Sequence, residues 1–301
     1  EALLVGKINI YPAQTLKEVV LYLTGEIELS SAINLDIGES NFVETGLDLN
    51  QVKGQLNIKR ALEIAASGRH SLLMIGNPGC GKSMLAQRLT TILPTLTDDE
   101  AIASASIQSV ANGGFDAGQW KQVPFRQPHH TSSDIAIVGG GYRVKPGEIS
   151  LSHNGVLFLD EIAEFRRSVI EVLREPLETK KINLSRAGYK VEFPADFQLI
   201  AAMNPCPCGN SGHPHKVCKC SIEHVARYRA KLSGPFLDRI DLFIVIPYFR
   251  VDDLNNLPCG ESSAMVKKRV VAVRELQLKR QNKLNYTLNN QEVEQYCILE
   301  K

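Results

Sequence analysis

The sequence has no apolar run near the roughly 20 residues that carry a helix across a bilayer, and its first residues do not read as a secretory signal. No membrane partner is expected. Charge of one sign is also missing. Among 301 residues, 34 Lys+Arg stand against 33 Asp+Glu, a formal charge of +1. That balance excludes a uniformly basic surface, so any grip on nucleic acid must be local. Internal repeats and low-complexity tracts are absent, and 44% hydrophobic with 22% charged residues is a globular composition. Cysteine is neither absent nor evenly spread. There are seven, an odd number, and four crowd into Cys206–Cys220. A secreted disulfide framework spreads its cysteines, so a reducing, cytoplasmic setting with one local metal or thiol site is expected.

The length exceeds one ordinary core of roughly 100–200 residues, so two domains or a large domain with an appendage are expected. A chain opening at Glu1 without Met is expected to be a fragment. Residues 1–33 mix short β-like and helical patterns and read as the end of a preceding domain. Residues 34–48 are acidic, contain Gly38 and Gly46, and read as a linker. From Val52 onward, helical spacing alternates with short all-apolar runs: Leu72–Ile75, Val156–Leu159, Leu199–Met203 and Leu242–Ile246. Strands apolar on both sides and separated by helices predict an α/β fold with a parallel sheet covered on both faces. Met265–Lys283 reads as a helix with seven Lys/Arg against one Glu.

Gly76-Asn77-Pro78-Gly79-Cys80-Gly81-Lys82-Ser83 fits G-x-x-x-x-G-K-[ST], between an apolar strand and a helix opening with Met84. Glycines let the backbone curl until successive N–H groups face inward. With the helix N-terminus they form a cradle for phosphates. Lys82 adds a point charge, and the Ser83 hydroxyl suits Mg²⁺, a hard ion that takes oxygen ligands. Downstream, Val156–Leu159 delivers Asp160 and Glu161 to the carboxyl end of a strand, where open α/β sheets bind ligands. Asp160 is read as part of the Mg²⁺ shell and Glu161 as the group that polarises the attacking water. The two motifs together predict ATP binding and hydrolysis. Asn204, ending Leu199–Met203, is placed to orient that water. Arg239, just ahead of Leu242–Ile246, fits either an arginine acting on a neighbour's γ-phosphate or a salt bridge with Asp238 or Asp241.

With these residues in place, the chain resembles the AAA+ P-loop ATPases of the magnesium-chelatase-like group, above all the ComM (YifB) family of bacterial competence proteins. The resemblance runs from about Gly46 to Gln281. It rests on Val52-Lys53-Gly54-Gln55, on Pro124–Thr131 with Gly139–Gly141, on Pro146–Ser150, on Arg174–Glu178 and on Asn204–Gly209. It implies an αβα core with a five-stranded parallel sheet at 49–248, a partial helical lid at 249–301, and at 1–33 the last piece of a Lon-like domain. It implies that Val52 and Gly54 lie near the adenine, that Asn204 is sensor 1, and that Arg239 is a trans-acting arginine finger. No sensor 2 residue is assigned. The family's activity implies a homohexameric DNA helicase promoting branch migration on single-stranded or branched DNA during natural transformation. A chelatase motor and a remodelling ATPase are the alternatives.

In such a ring, Lys180–Lys190 reads as a pore hairpin. Lys180, Lys181, Arg186 and Lys190 are basic with no acid among them, and Tyr189 is available for stacking on a base. Arg143 and Lys145, near a Gly139–Gly141 run, form a second candidate DNA contact. Cys206-x-Cys208 and Cys218-x-Cys220, nine residues apart, can hold a tetrahedral Zn²⁺, with a histidine such as His213 or His215 able to replace one thiolate. Free thiols and a disulfide are the alternatives.

Overall fold

The computed structural model describes residues 2–5, 8–32, 46–142, 144–186, 189–249, 257 and 259–298, without the side chains of Arg186 and Tyr189. Arg143 and most of the expected linker lie outside the described residues. In chain order the helices are α1 (Leu16–Leu23), α2 (Leu56–Gly68), α3 (Lys82–Ile92), α4 (Asp98–Asn112), α5 (Asp134–Val138), α6 (Glu148–Leu151), α7 (Arg167–Val172), α8 (Arg174–Thr179), α9 (Ile222–Arg229), α10 (Gly234–Leu237), α11 (Ser263–Gln281) and α12 (Asn290–Tyr296). The strands are β1 (Leu72–Gly76), β2 (Phe125–Arg126), β3 (Gly139–Gly140), β4 (Lys145–Pro146), β5 (Val156–Leu159), β6 (Lys181–Arg186), β7 (Tyr189–Pro194), β8 (Gln198–Met203) and β9 (Leu242–Ile246).

Internal contacts divide the chain into two units, residues 1–45 with 96–122 and residues 46–95 with 123–301. In the first unit, α4 starts at a reciprocal cap. The Thr97 side chain accepts from the Glu100 N–H, and the Glu100 carboxylate accepts from the Thr97 N–H. Three acids in its first turn suit the positive end of the helix dipole.

The second unit is built on a parallel sheet in the order β2-β5-β8-β1-β9. The four apolar runs read from the sequence are four of its strands. The fifth, β2, has two residues, too few to carry a periodic signal. Successive residues on a strand face opposite ways. Leu72, Met74, Val156, Phe158, Ile200 and Ala202 therefore join a core with α2, α3 and α11 on one face. Leu73, Leu157, Leu159, Leu199, Ala201 and Met203 join Ile137, Ile149, Val169, Tyr228 and Phe236 on the other. Burial on both faces is why β1, β5 and β8 are continuously apolar in sequence; the expected cover on both faces does not extend to the edge strand β9, where Phe243 and Val245 are exposed.

The basic stretch Met265–Lys283 is a docked helix. Val266 and Val270 enter the core. Arg274 gives two hydrogen bonds to the Ala66 carbonyl, and Gln277 donates to that of Ser67. These carbonyls close α2 and have no partner of their own within the helix. Arg269 pairs with Glu63 and Glu261. The predicted hairpin is present as antiparallel β6 and β7, paired from Lys181↔Pro194 to Arg186↔Tyr189.

Candidate active site

Register brings the chemistry to one end of the sheet. Ile75 pairs with Met203 and Leu159 with Ala201. One residue further on, Gly76 ends β1, and Asn204 and Asp160 are the first residues beyond β8 and β5. The phosphate loop fills the space after β1. Gly79 and Gly81 have φ of 78° and 90°, left-handed values that a side chain would strain, and Gly81 is the residue before α3.

Lys82 is buried, and its ammonium donates to Gly76 O at 2.7 Å, Asn77 O at 3.1 Å and Asn204 Oδ1 at 3.1 Å. A buried cation needs such acceptors. These three hold Lys82 across the mouth of the loop, where phosphate oxygens would compete for it. The Ser83 hydroxyl donates to Asp160 Oδ2 at 2.5 Å. This hydroxyl and carboxylate form an all-oxygen donor set of the kind Mg²⁺ prefers. Burial pushes the Cys80 thiol up, partly offset by Lys82, so Cys80 is a neutral thiol packed under the loop.

Glu161 follows with φ 52°, a left-handed backbone costing a non-glycine residue roughly 1 kcal/mol or more. The turn carries its carboxylate off the strand direction, with Oε2 3.7 Å from His130 Nδ1. The His130 ring also meets Phe165 edge-on and lies 4.2 Å from the His129 ring. His130 is thus a neighbour of Glu161. Arg126, from the same sequence block, is locked to Glu148 by two bonds of 2.6 and 2.7 Å. Sequence reasoning missed Tyr228, whose phenol is buried against Asn204. Burial pushes its pKa up to about 12, so it stays a neutral phenol, and its hydrogen bond with the Asn204 backbone opposes that rise.

Val52 and Gly54 occupy the turn before α2. The Val52 side chain is buried in the core, and its carbonyl accepts from Lys59. Gly54 has φ 59°, and a Cβ there would meet Leu257.

Arg239 lies at the opposite end of the sheet. Leu242 pairs with Leu72, and Asp241 accepts from the Ser71 N–H, so Arg239 sits where β1 and β9 begin. Its guanidinium is held by Glu178 of α8 rather than by Asp238 or Asp241. A strand of five residues is about 17 Å long, so Arg239 is not part of the Lys82 cluster of its own chain.

The basic residues of the hairpin divide. Lys180 turns inward: its ammonium bonds to Leu177 O, lies 3.8 Å from Asp196 and covers the Tyr286 ring at 4.5 Å, and burial lowers its pKa. Lys181 and Lys190 are exposed, Lys181 pairing across the hairpin with Glu192 at 2.7 Å. Arg186 and Tyr189 pair through their backbones at its far end. Lys145 is an exposed residue of β4, opposite Gly140.

The four clustered cysteines converge, with all four sulfurs within 4.8 Å of one another. The Cys208 thiol falls to about 6, chiefly through the backbone N–H groups of Asn210 and Lys219. Neither His213 nor His215 belongs to this group.

A parallel 2-5-8-1-9 sheet carrying a phosphate loop after β1, tandem acids after β5 and a polar residue after β8 defines a P-loop ATPase of the AAA+ class. The family model of magnesium chelatase subunit ChlI matches residues 48–254, and that of its C-terminal part matches residues 260–301. Competence protein ComM of Haemophilus influenzae is 50% identical over 303 aligned residues, covering 99% of this chain and 59% of ComM. YifB of Salmonella typhimurium is 48% identical over 297, covering 98% and 58%. The chain belongs to the magnesium chelatase ChlI family, in its ComM/YifB group, and spans somewhat under six-tenths of the length of these relatives. Among solved structures, NtrX of Brucella abortus in complex with ATP aligns with 65% of this chain and 39% of that one, at 17% identity and a TM-score of 0.41.

Proposed function

We propose that the chain is the motor of a homohexameric ring that hydrolyses ATP between neighbouring copies and drives DNA unwinding and branch migration during natural transformation and recombination. The observation that carries this reading is the division of the polar machinery between two ends of one sheet. Lys82, Ser83, Asp160, Glu161 and Asn204 gather at the carboxyl end, and Arg239 stands at the other. A chain so built has an incomplete site alone and a complete one when a second copy presents its Arg239.

The loop N–H groups and Lys82 bind the β- and γ-phosphates, and Val52 and Gly54 border the adenine. Ser83 and Asp160 would hold Mg²⁺, which when bound supplies positive charge to the phosphate oxygens. Glu161 takes the proton of the attacking water, with His130 beside it. Asn204 orients that water while exchanging its bond with Lys82. The neighbour's Arg239, released from Glu178, neutralises the charge growing on the γ-phosphate.

DNA is the proposed substrate of the motion, taken as single or branched strands in a cytoplasmic setting. The hairpin of β6 and β7 supports this, with Lys181 and Lys190 exposed on it and Arg186 and Tyr189 at its far end, and so does the half-identical relative named a competence protein. Arg143 and Lys145 form a second contact. Lys180 serves the base of the hairpin. The reading as a chelatase-type motor is favoured by family models covering most of the chain.

Titration of forked and single-stranded DNA at rising salt, with and without non-hydrolysable ATP, separates the two. The DNA motor binds and weakens with salt, and replacing Lys181 and Lys190 by Ala lowers the salt slope by roughly 0.7 per lysine on single strands. No binding at low salt in either nucleotide state would remove DNA from the account.

A further inference from the structure

Residues 204–221 contain neither helix nor strand. A loop of that length inside a compact unit needs another source of order. Its four cysteines supply a candidate. The sulfur of Cys206 is 3.5 Å from that of Cys208 and 3.6 Å from that of Cys218, and Cys208 and Cys218 are 3.6 Å apart. Cys220 completes the group, with all four sulfurs within 4.8 Å. A tetrahedron with Zn–S bonds of ~2.3 Å has edges of ~3.8 Å, close to these separations. Soft thiolates in a four-membered set select Zn²⁺ over hard cations.

Two further contacts fit such a knot. The Ser211 N–H donates to the Cys206 sulfur at 3.2 Å, the kind of outer bond that supports charge on a metal-bound thiolate. His213 is used otherwise: its Nδ1 accepts from the N–H groups of His215 and Lys216, and its ring lies against Tyr248 at 4.2 Å.

The same loop grips the phosphate loop. The buried Asn77 amide donates to Gly209 O at 2.6 Å and to Ser211 O at 3.2 Å. Gly209, at φ 74°, approaches the Pro78 ring so closely that a Cβ would lie 2.6 Å from it. Asn204, which accepts from Lys82, precedes Cys206 by two residues. The cysteine knot therefore braces two positions of the phosphate loop and the end of β8 together.

We infer that Cys206, Cys208, Cys218 and Cys220 bind one Zn²⁺ as a tetrathiolate, and that this knot sets the phosphate loop through Asn77 and Pro78, so that nucleotide affinity depends on metal occupancy. The second half rests on the nucleotide-binding reading given above.

Elemental analysis of the whole chain, purified without chelator, is expected to give one zinc per chain. Exchange with Co²⁺ is expected to give the visible ligand-field bands of a tetrahedral thiolate site, and Cys208→Ser and Cys218→Ser to lose both signals. Protein without zinc that yields no such bands overturns the site. A fluorescent ADP analogue then reports the coupling. Stripping with a zinc-selective chelator, followed by resupply of Mg²⁺, is expected to weaken binding about tenfold, the equivalent of losing the bonds Asn77 donates. Returning Zn²⁺ restores it. Asn77→Ala is expected to keep its zinc and show the same loss. Unchanged affinity in the stripped protein or in Asn77→Ala overturns the coupling. A zinc-replete chain that binds no nucleotide overturns the coupling together with the nucleotide reading, while the metal site is decided by its own two signals.

Discussion

Lys82 shows how a phosphate site can be held ready. Its ammonium is buried yet has three oxygen acceptors, two of them carbonyls of the loop it belongs to and the third Asn204. Exchange of these for phosphate oxygens leaves the ammonium where it is already buried and pairs it with an anion. Glu161 is the residue whose loss separates binding from chemistry. Glu161→Gln keeps the shape and removes the base, so phosphate release is expected to fall by about 10²–10⁴-fold while binding of a fluorescent nucleotide is kept; normal turnover would contradict its role. This part of the site was legible in sequence because each piece is local: a loop of fixed spacing, and acids directly after an apolar strand. Glu178 was not legible as the partner of Arg239, because 61 residues separate them and the nearer Asp238 and Asp241 are equally good candidates on paper. Lys180 was misplaced for a similar reason. Four cations with no acid among them look like one exposed patch, but the left-handed turn at Lys180, φ 63°, sends its side chain toward Asp196 and Tyr286.

Among the elements, α11 makes the clearest energetic statement. Its basic sequence looks like a solvated surface, but it packs on α2 and ties off that helix's last carbonyls. Hydrogen bonding to Arg269 holds the Glu63 carboxyl below the usual carboxylate range. A carboxylate with a depressed folded pKa adds stability that is complete above its unfolded value of about 4.3 and is lost as pH falls through the folded value. Glu63→Gln is expected to cost about 1 kcal/mol near neutral pH, a modest figure because Arg269 is well exposed to water. Urea unfolding at neutral and at strongly acid pH checks this: the gap between wild type and variant should close in acid, and a gap independent of pH would remove the ion pair from the account. β1, β5 and β8 were legible as apolar runs, since burial on both faces leaves little room for polar residues; β9 is just as apolar in sequence although its Phe243 and Val245 are exposed. The exception, β2, pairs through two residues against Val156 and Leu157 and carries no pattern of its own.

For the whole molecule, a net charge of +1 excludes a uniformly basic surface and leaves local ones. On the hairpin, Lys181, paired with Glu192, and Lys190 are exposed, and DNA contact is proposed there. The proposed ring rests on the sheet: Arg239 and Lys82 sit at ends too far apart to meet within one chain, so an arginine at the phosphates would have to come from a second copy. Arg239→Ala is therefore expected to bind nucleotide normally and hydrolyse it poorly, and Lys82→Ala to lose nucleotide. The most direct test of the shared site is to mix these two inactive variants and measure phosphate release. Random assembly pairs an intact phosphate loop with an intact neighbouring arginine at about one quarter of the interfaces, so the mixture is predicted to recover a comparable share of wild-type activity. A mixture as inactive as its components would contradict an ATP site completed by a second copy.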